Sequence, residues 1–473
     1  MKGVLPLLLA FAALYRIAAN AKLQALSAKI VPRADGVVVL DLTRSTSVGG
    51  LMVDTKIGTP GQYVQLLIAT DVSHNRVPST NGEKCLDEGC AGGAFNPARS
   101  STYRLLVEGY EETTTTNLVM NLATETVTVG NLSASNITMI VTDVREIQAR
   151  PGTITLGYQA GPDNYQIGTG LLGSLVGNGL IRTQAFGIWV NDTAFGANAG
   201  SLTLGAIDTE KYYGSLSLLT AVDTEEPLTG RFRVVLSSLT ATSSTGTDEL
   251  ASAIPFAINF KPEAYFSMLP IDLASEIWQV VGATYNASMH VALTSCRMRD
   301  SQGHLTFGFG GPQGPRITVA MRHLVVPILF FPTNLTSTSG DDLCAISVVS
   351  TGDSYEVRLG TSFLSAAYVV WDMYNKKIAV AQARWTDESN LVVFDGQAAP
   401  IPLATSPPNE MTTVPQSPTA TLAAVTTKTY AAAAVVAAAK NASRFKALPL
   451  VESPTLGNLV SKHGDGEKTS WKI

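Results

Sequence analysis

Two short polar loops, each fed by an apolar strand, carry the residues of this chain best suited to chemistry. In the stretch Ile57–Ser79 a glycine-proline turn (Gly58, Thr59, Pro60) leads into the apolar run Val64 to Ile68. That run empties into Ala69-Thr70-Asp71, and the chain leaves through Val77-Pro78-Ser79. In the stretch Pro255–Pro270 a second apolar run empties into Lys261-Pro262-Glu263. Asp71 and Glu263 are the acids of the two loops. Two carboxylates held a few ångströms apart around one water cannot both ionise easily and share a proton. One is then a base toward the water and the other an acid toward a carbonyl. The same stretches also hold the cations Lys261 and Arg76. Buried charges need partners, so the competing arrangement is a charged network in which the acids neutralise those cations. The five histidines are scattered without ligand spacing to each other or to the four cysteines, and no metal or cofactor is expected.

The elements that must position these loops read as β. From Leu51 to about Leu216 short apolar or alternating runs, such as Leu118 to Leu122, Thr126 to Val129 and Thr138 to Val141, are separated by Gly, Asn, Asp, Ser and Thr. One helix stands out, Asp272 to Gly282, with Leu273, Ile277, Val280 and Val281 on one face, Asp272 as N-cap and Gly282 as stop signal. The chain of 473 residues is long enough for two lobes with substantial cores. A net charge of -5 gives no sign of nucleic-acid binding.

The ends read differently. Met1 and Lys2 precede the apolar run VLPLLLAFAAL, too short to span a bilayer, and Ala19-Asn20-Ala21 offers a small-residue cleavage site. A secretory signal peptide is expected, with a retained N-terminal anchor as the competing reading. Sequons at Asn131, Asn136, Asn191, Asn286, Asn334 and Asn441 are N-glycosylation candidates that suit a secreted surface. Beyond about Gln397 the composition turns to Pro, Ser, Thr and Ala, which reads as a solvated, O-glycosylated stalk. No transmembrane segment and no lipid-anchor tail are expected: Ala431 to Ala439 is too short to span, and the chain ends GDGEKTSWKI. Cys85, Cys90, Cys296 and Cys344 permit three disulfide connectivities.

Several of these stretches resemble the pepsin-like aspartic endopeptidases (peptidase family A1), over about Val53 to Ala383 and so over both lobes. The residues that carry the resemblance are the Gly58-Thr59-Pro60 turn with its strand, Phe95-Asn96-Pro97, Ser100 to Tyr103, Gly152 to Gly157 (GTITLG), Ala185 to Asp192, and Leu359 to Ala383. The most specific is Ala199 to Leu216, AGSLTLGAIDTEKYYGSL. The resemblance implies an all-β, bilobal pepsin-like acid-protease fold with a central cleft and a few short helices. In the family an Asp-Thr/Ser-Gly loop from each lobe supplies one catalytic aspartate. Seven residues after Gln62 and eight before Val77 the family's aspartate falls on Ala69; nine before Pro270 it falls on Lys261. Asp71 and Glu263 stand where the family has glycine, and Pro262 replaces a Ser/Thr whose hydroxyl and amide grip the other lobe. Thr70 keeps its hydroxyl. Tyr110 falls at the flap tyrosine, with an ordinary strand aromatic as the competing reading. The resemblance selects Cys85–Cys90 and Cys296–Cys344 as disulfides.

The expected organisation is a signal peptide (1–21), a leader and N-terminal strand (22–50), an N-terminal β lobe (51–216), a C-terminal β lobe (217–396) and a disordered tail (397–473). The leading functional expectation is a secreted, monomeric, catalytically inactive relative that uses its cleft to bind a peptide or protein. An active endopeptidase using the displaced acids Asp71 and Glu263 competes with it. An inhibitor of a secreted hydrolase is a third reading, by fold analogy alone.

Overall fold

A computed structural model of the chain describes residues 36–70, 72, 74–82, 90–109, 119–143, 151–157, 170–191, 199–222, 232–250, 254–328, 342–351 and 356–414. Asp71, Cys85, Tyr110, Asn334, Asn441, the expected signal peptide and residues 415–473 of the expected tail lie outside the described residues.

The fold is mostly β, bilobal and pepsin-like, and the same four-strand arrangement occurs in each lobe. In the first, Gln62–Ala69 pairs in parallel with Gly152–Thr155, and Asn75–Pro78 runs parallel to Leu132–Asp143 while bridging Gly152–Thr155 through Arg76 and Thr153. In the second, Phe256–Phe260 pairs in parallel with Arg358–Leu359, and Ser267–Leu269 runs parallel to Val348–Ser350 while bridging Arg358–Leu359 through Met268 and Arg358. Parallel neighbours cannot be joined by a tight hairpin. Each lobe therefore threads one strand between two that are distant in sequence, and the loop after the first strand is held at that crossing. The two candidate loops occupy this position.

A sheet shared by the lobes joins them. It runs in the order Tyr212–Thr220, Lys377–Ala383, Ala367–Asp372, Ala185–Val190, Gly200–Leu204, Val38–Arg44, and continues through Leu51–Ile57 to Gln62–Ala69. Its central strands Ala185–Val190 and Ala367–Asp372 are buried on both faces and so read as nearly continuous apolar runs. On one face Phe186, Ile188, Val190, Val369 and Trp371 enter the main core. There the Phe186 and Trp371 rings stack at 4.9 Å, and Trp371 meets the edge of Phe260 at 6.4 Å. On the other face Ala185, Trp189, Tyr368 and Val370 form a second core with Phe394 and Ile401. The strand Tyr212–Thr220 runs across the expected lobe boundary at 216/217, so composition alone does not divide the chain there.

The expected tail boundary at 397 is corrected. Ile401 is buried, Ala404–Thr405 pairs in parallel with Leu216–Ser217, and Glu410 Oε2 accepts the Thr220 hydroxyl at 2.9 Å. A Pro- and Thr-rich composition cannot build a core of its own, but here it needs only to lie on one already built. The expected helix forms as Ile271–Val280, burying Leu273, Ile277 and Val280, with Gly282 past its end at φ 65°. Pro270, not Asp272, is its N-cap; Asp272 sits in the first turn, where a carboxylate suits the helix dipole. The disulfide Cys296–Cys344 is formed. Cys90 is also disulfide-bonded. No helix among the described residues is long and apolar enough to cross a membrane.

The outer side of the shared sheet carries two neighbouring acids. Partial burial first, and the charge of Asp54 second, push the Asp41 carboxyl above its ordinary value of 3.8. The folded state then holds this proton more tightly than the unfolded chain does. Ionised Asp41 opposes folding above that ordinary value, and the opposition disappears as the pH falls below it. Asp41→Asn is accordingly expected to raise the melting temperature at neutral pH and to leave it unchanged at about pH 3, as read by thermal unfolding at both pH values.

Candidate functional site

The first loop leaves the strand Gln62–Ala69 with Ala69 and Thr70 both buried. The Ala69 carbonyl accepts Leu156 N at 2.8 Å from the crossing segment. Asn75 fixes the far side of the loop: its Oδ1 accepts Thr155 N at 2.8 Å and its Nδ2 donates to Thr138 O at 2.8 Å. The Thr155 hydroxyl in turn donates to Val72 O at 2.7 Å.

From this loop the Thr70 hydroxyl crosses to the other lobe and donates to Phe260 O at 3.0 Å. Residue 70 follows Ala69 and residue 260 precedes Lys261, so the bond sets the two loops side by side. Pro262 has neither hydroxyl nor N–H with which to return it. The second loop is held by other bonds: Lys261 N donates to Leu359 O at 2.8 Å, Thr361 N to Ala264 O at 2.8 Å and Leu51 N to Pro262 O at 2.8 Å. The last of these comes from the first lobe, as does the contact at Gly50, where an added Cβ would meet Glu263 O at 2.3 Å. Only a residue without a side chain lets these two backbones approach so closely. Nearby, Arg44 lies buried with its guanidinium carbon 5.4 Å from the centroid of the Tyr265 ring. Burial works against its charge, and contact with Tyr265 partly restores it.

Lys261 is an ion-paired residue. Its Nζ contacts the Glu356 carboxylate closely and Glu263 Oε1 at 3.7 Å, and Glu356 Oε2 accepts from Arg358 Nη1 at 3.1 Å. The four side chains are 14% (Lys261), 10% (Glu263), 21% (Glu356) and 8% (Arg358) exposed, low enough that each charge needs the others. Two cations face two carboxylates in this group. Arg76, the other cation expected beside the acids, lies part-buried in the strand Asn75–Pro78, opposite Thr153 and Ile140.

Glu356 and Arg358 were not among the expected site residues. The signal was present in Glu356-Val357-Arg358, which sets two charges where the crossing segment of the first lobe, Thr153-Ile154-Thr155, has none. Among the described residues no group of three or more His, Cys, Asp or Glu could hold a metal ion. Of the sequons, Asn131 and Asn136 are exposed and Asn191 is half-buried. Asn286 is buried, and its Oδ1 accepts from Ser288 N, Ser288 Oγ and Met289 N.

The crossings described above lie within residues 52–383, and that stretch matches the family model for eukaryotic aspartyl proteases. The chain belongs to the eukaryotic aspartyl protease family. Among curated aspartyl proteases it is 28% identical to the probable aspartic-type endopeptidase opsB of Aspergillus oryzae over 374 residues, 76% of this chain and 74% of that one. It is 27% identical to an acid protease of Saccharomycopsis fibuligera, with 70% of this chain and 80% of the relative covered. Secreted aspartic protease 4 of Candida albicans is 26% identical, with 72% and 78% covered.

In this aspartyl protease fold the Lys261 network invites a direct measurement. Lys261→Met removes the cation that the little-exposed carboxylates of Glu263 and Glu356 share and is expected to cost about 3 kcal/mol, as read by urea unfolding. Adding Glu356→Gln removes one of the two negative charges that Lys261 had faced while leaving an oxygen for Arg358. The double variant is expected to be more stable than Lys261→Met alone.

Proposed function

We propose that this aspartyl protease family member is secreted, does not cleave peptide bonds, and keeps the cleft between its lobes as a binding surface for a peptide or protein. One observation carries the reading: the residue before Thr70 is alanine and the residue after Phe260 is a lysine whose ammonium is engaged by Glu263 and Glu356. Hydrolysis by this family requires two acids sharing a proton around one water. A methyl group offers no base, and an ammonium between two carboxylates cannot serve as the acid of a proton-sharing pair. Glu263, one of the two displaced acids, is drawn toward the ammonium. Catalysis tolerates misplacement of only about an ångström, so acids moved two residues along each loop are poor substitutes.

Secretion is supported by the N-terminal apolar run, by the disulfide Cys296–Cys344, and by the name of the Candida relative. In that setting Asn131 and Asn136, exposed on one hairpin, are the sequons best placed to carry glycans among the described residues. The names of the relatives speak for peptidase activity in those proteins, which makes the test direct.

Purified full-length protein is incubated with a diverse peptide library from acidic to neutral pH, beside an Asp71→Asn, Glu263→Gln variant as control for contaminating peptidase. No cleavage by either is expected. Acid-dependent cleavage by the unaltered chain that the variant lacks would overturn the reading and assign the work to the displaced acids.

A further inference from the structure

The match to the aspartyl protease family ends at residue 383, yet the fold continues to residue 414. The added segment does not lie on one lobe. It starts on the first-lobe side of the shared sheet, where Arg384 N donates to Lys211 O at 2.8 Å and Trp189 Nε1 donates to Arg384 O at 3.0 Å. Lys211 Nζ donates to Thr386 O at 2.7 Å while sitting 4.2 Å from the centroid of the Trp189 ring. The carboxylate of Asp208 takes Ser389 Oγ at 2.7 Å and Asn390 N at 2.9 Å, and Leu391–Val393 pairs antiparallel with Ala206–Asp208.

The same segment reaches the second lobe at both of its ends. At the start, Trp385 Nε1 donates to Ser365 O at 3.0 Å, and its ring is stacked by His323 and capped by Arg322. At the far end Glu410 receives Thr220, and Met411 N donates to Gly310 O at 2.8 Å. Between these anchors Phe394 and Ile401 fill the second core, on the face of the shared sheet opposite the one that packs against Phe260.

We propose that residues 384–411 are a splint that fixes the angle between the two lobes from behind the cleft. Half of the reciprocal grip between the loops has no donor at Pro262, and the splint supplies the missing restraint from the other side of the sheet. A segment bonded to both lobes resists their relative rotation. One bonded to a single lobe would only cover its core.

The test is a distance measurement across the lobes in the full chain. Spin labels are placed on cysteines introduced at Ser135 and Ser244, both exposed and one in each lobe. Their distance distribution is read by pulsed electron resonance. The splint predicts a narrow distribution in the otherwise unaltered chain. It also predicts broadening both in Asp208→Ala, which removes the carboxylate that holds Ser389 and Asn390 to the first lobe, and in Trp385→Leu, which removes the bond to Ser365 of the second. Thermal unfolding of each variant confirms that it is folded. If Asp208→Ala fails to fold, Ser389→Ala takes its place in the full chain, and if Trp385→Leu fails to fold, Glu410→Gln takes its place; each is expected to broaden. Distributions that stay as narrow as in the unaltered chain would overturn the splint and leave residues 384–411 as a cover for the second core.

Discussion

The hydroxyl of Thr70, donating across the lobes to the carbonyl of Phe260, is the contact on which the arrangement of the two loops depends. It fixes which residues come next to each other at the crossing. Ala69 lies one residue before the donor and Lys261 one residue after the acceptor, so the bond brings a methyl group and an ammonium to the crossing. Phe260 can serve as a fixed point because its ring is buried against Phe363, Phe309 and Trp371, the last on the shared sheet. A buried aromatic in such a cluster holds its backbone carbonyl far more rigidly than a loop residue could.

Placing a lysine at that crossing has consequences for its neighbours. An ammonium with little exposure must be matched, and Glu263, Glu356 and Arg358 form the matching group. The result is a little-exposed group of opposite charges beside the Thr70–Phe260 bond. Close backbone approach adds a second constraint: Gly50 lets the first lobe lie directly on the carbonyl of Glu263, and Leu51 N bonds to Pro262 O beside it. The second loop is thus held by its backbone although Pro262 supplies neither a hydroxyl nor an amide N–H.

Much of this was legible in the residues. The glycine-proline turn and the apolar run Val64 to Ile68 marked the first strand and its loop, and Gly200–Leu204 formed as the Gly-Ser-Leu-Thr-Leu run implied. Leu273, Ile277 and Val280 marked the helix. These are local signals, set by turn chemistry and periodicity. What was not legible is non-local. Glu356 meets Lys261 across 95 residues of chain, and no pattern near either residue names the other. Glu410 meets Thr220 across 190 residues, and the Pro- and Thr-rich stretch around it has the composition of a solvated stalk. Such a stretch becomes ordered only because the second core offers Ile401 a place to be buried.

The most direct test of the account is a crystal structure of the full-length protein grown in acid, where a pair of acids working on water would be assembled. The account predicts that Lys261 Nζ stays between the carboxylates of Glu263 and Glu356, with no water shared by Asp71 and Glu263. A structure in which the Asp71 and Glu263 carboxylates both lie within about 3 Å of one water, with Lys261 turned away, would contradict it.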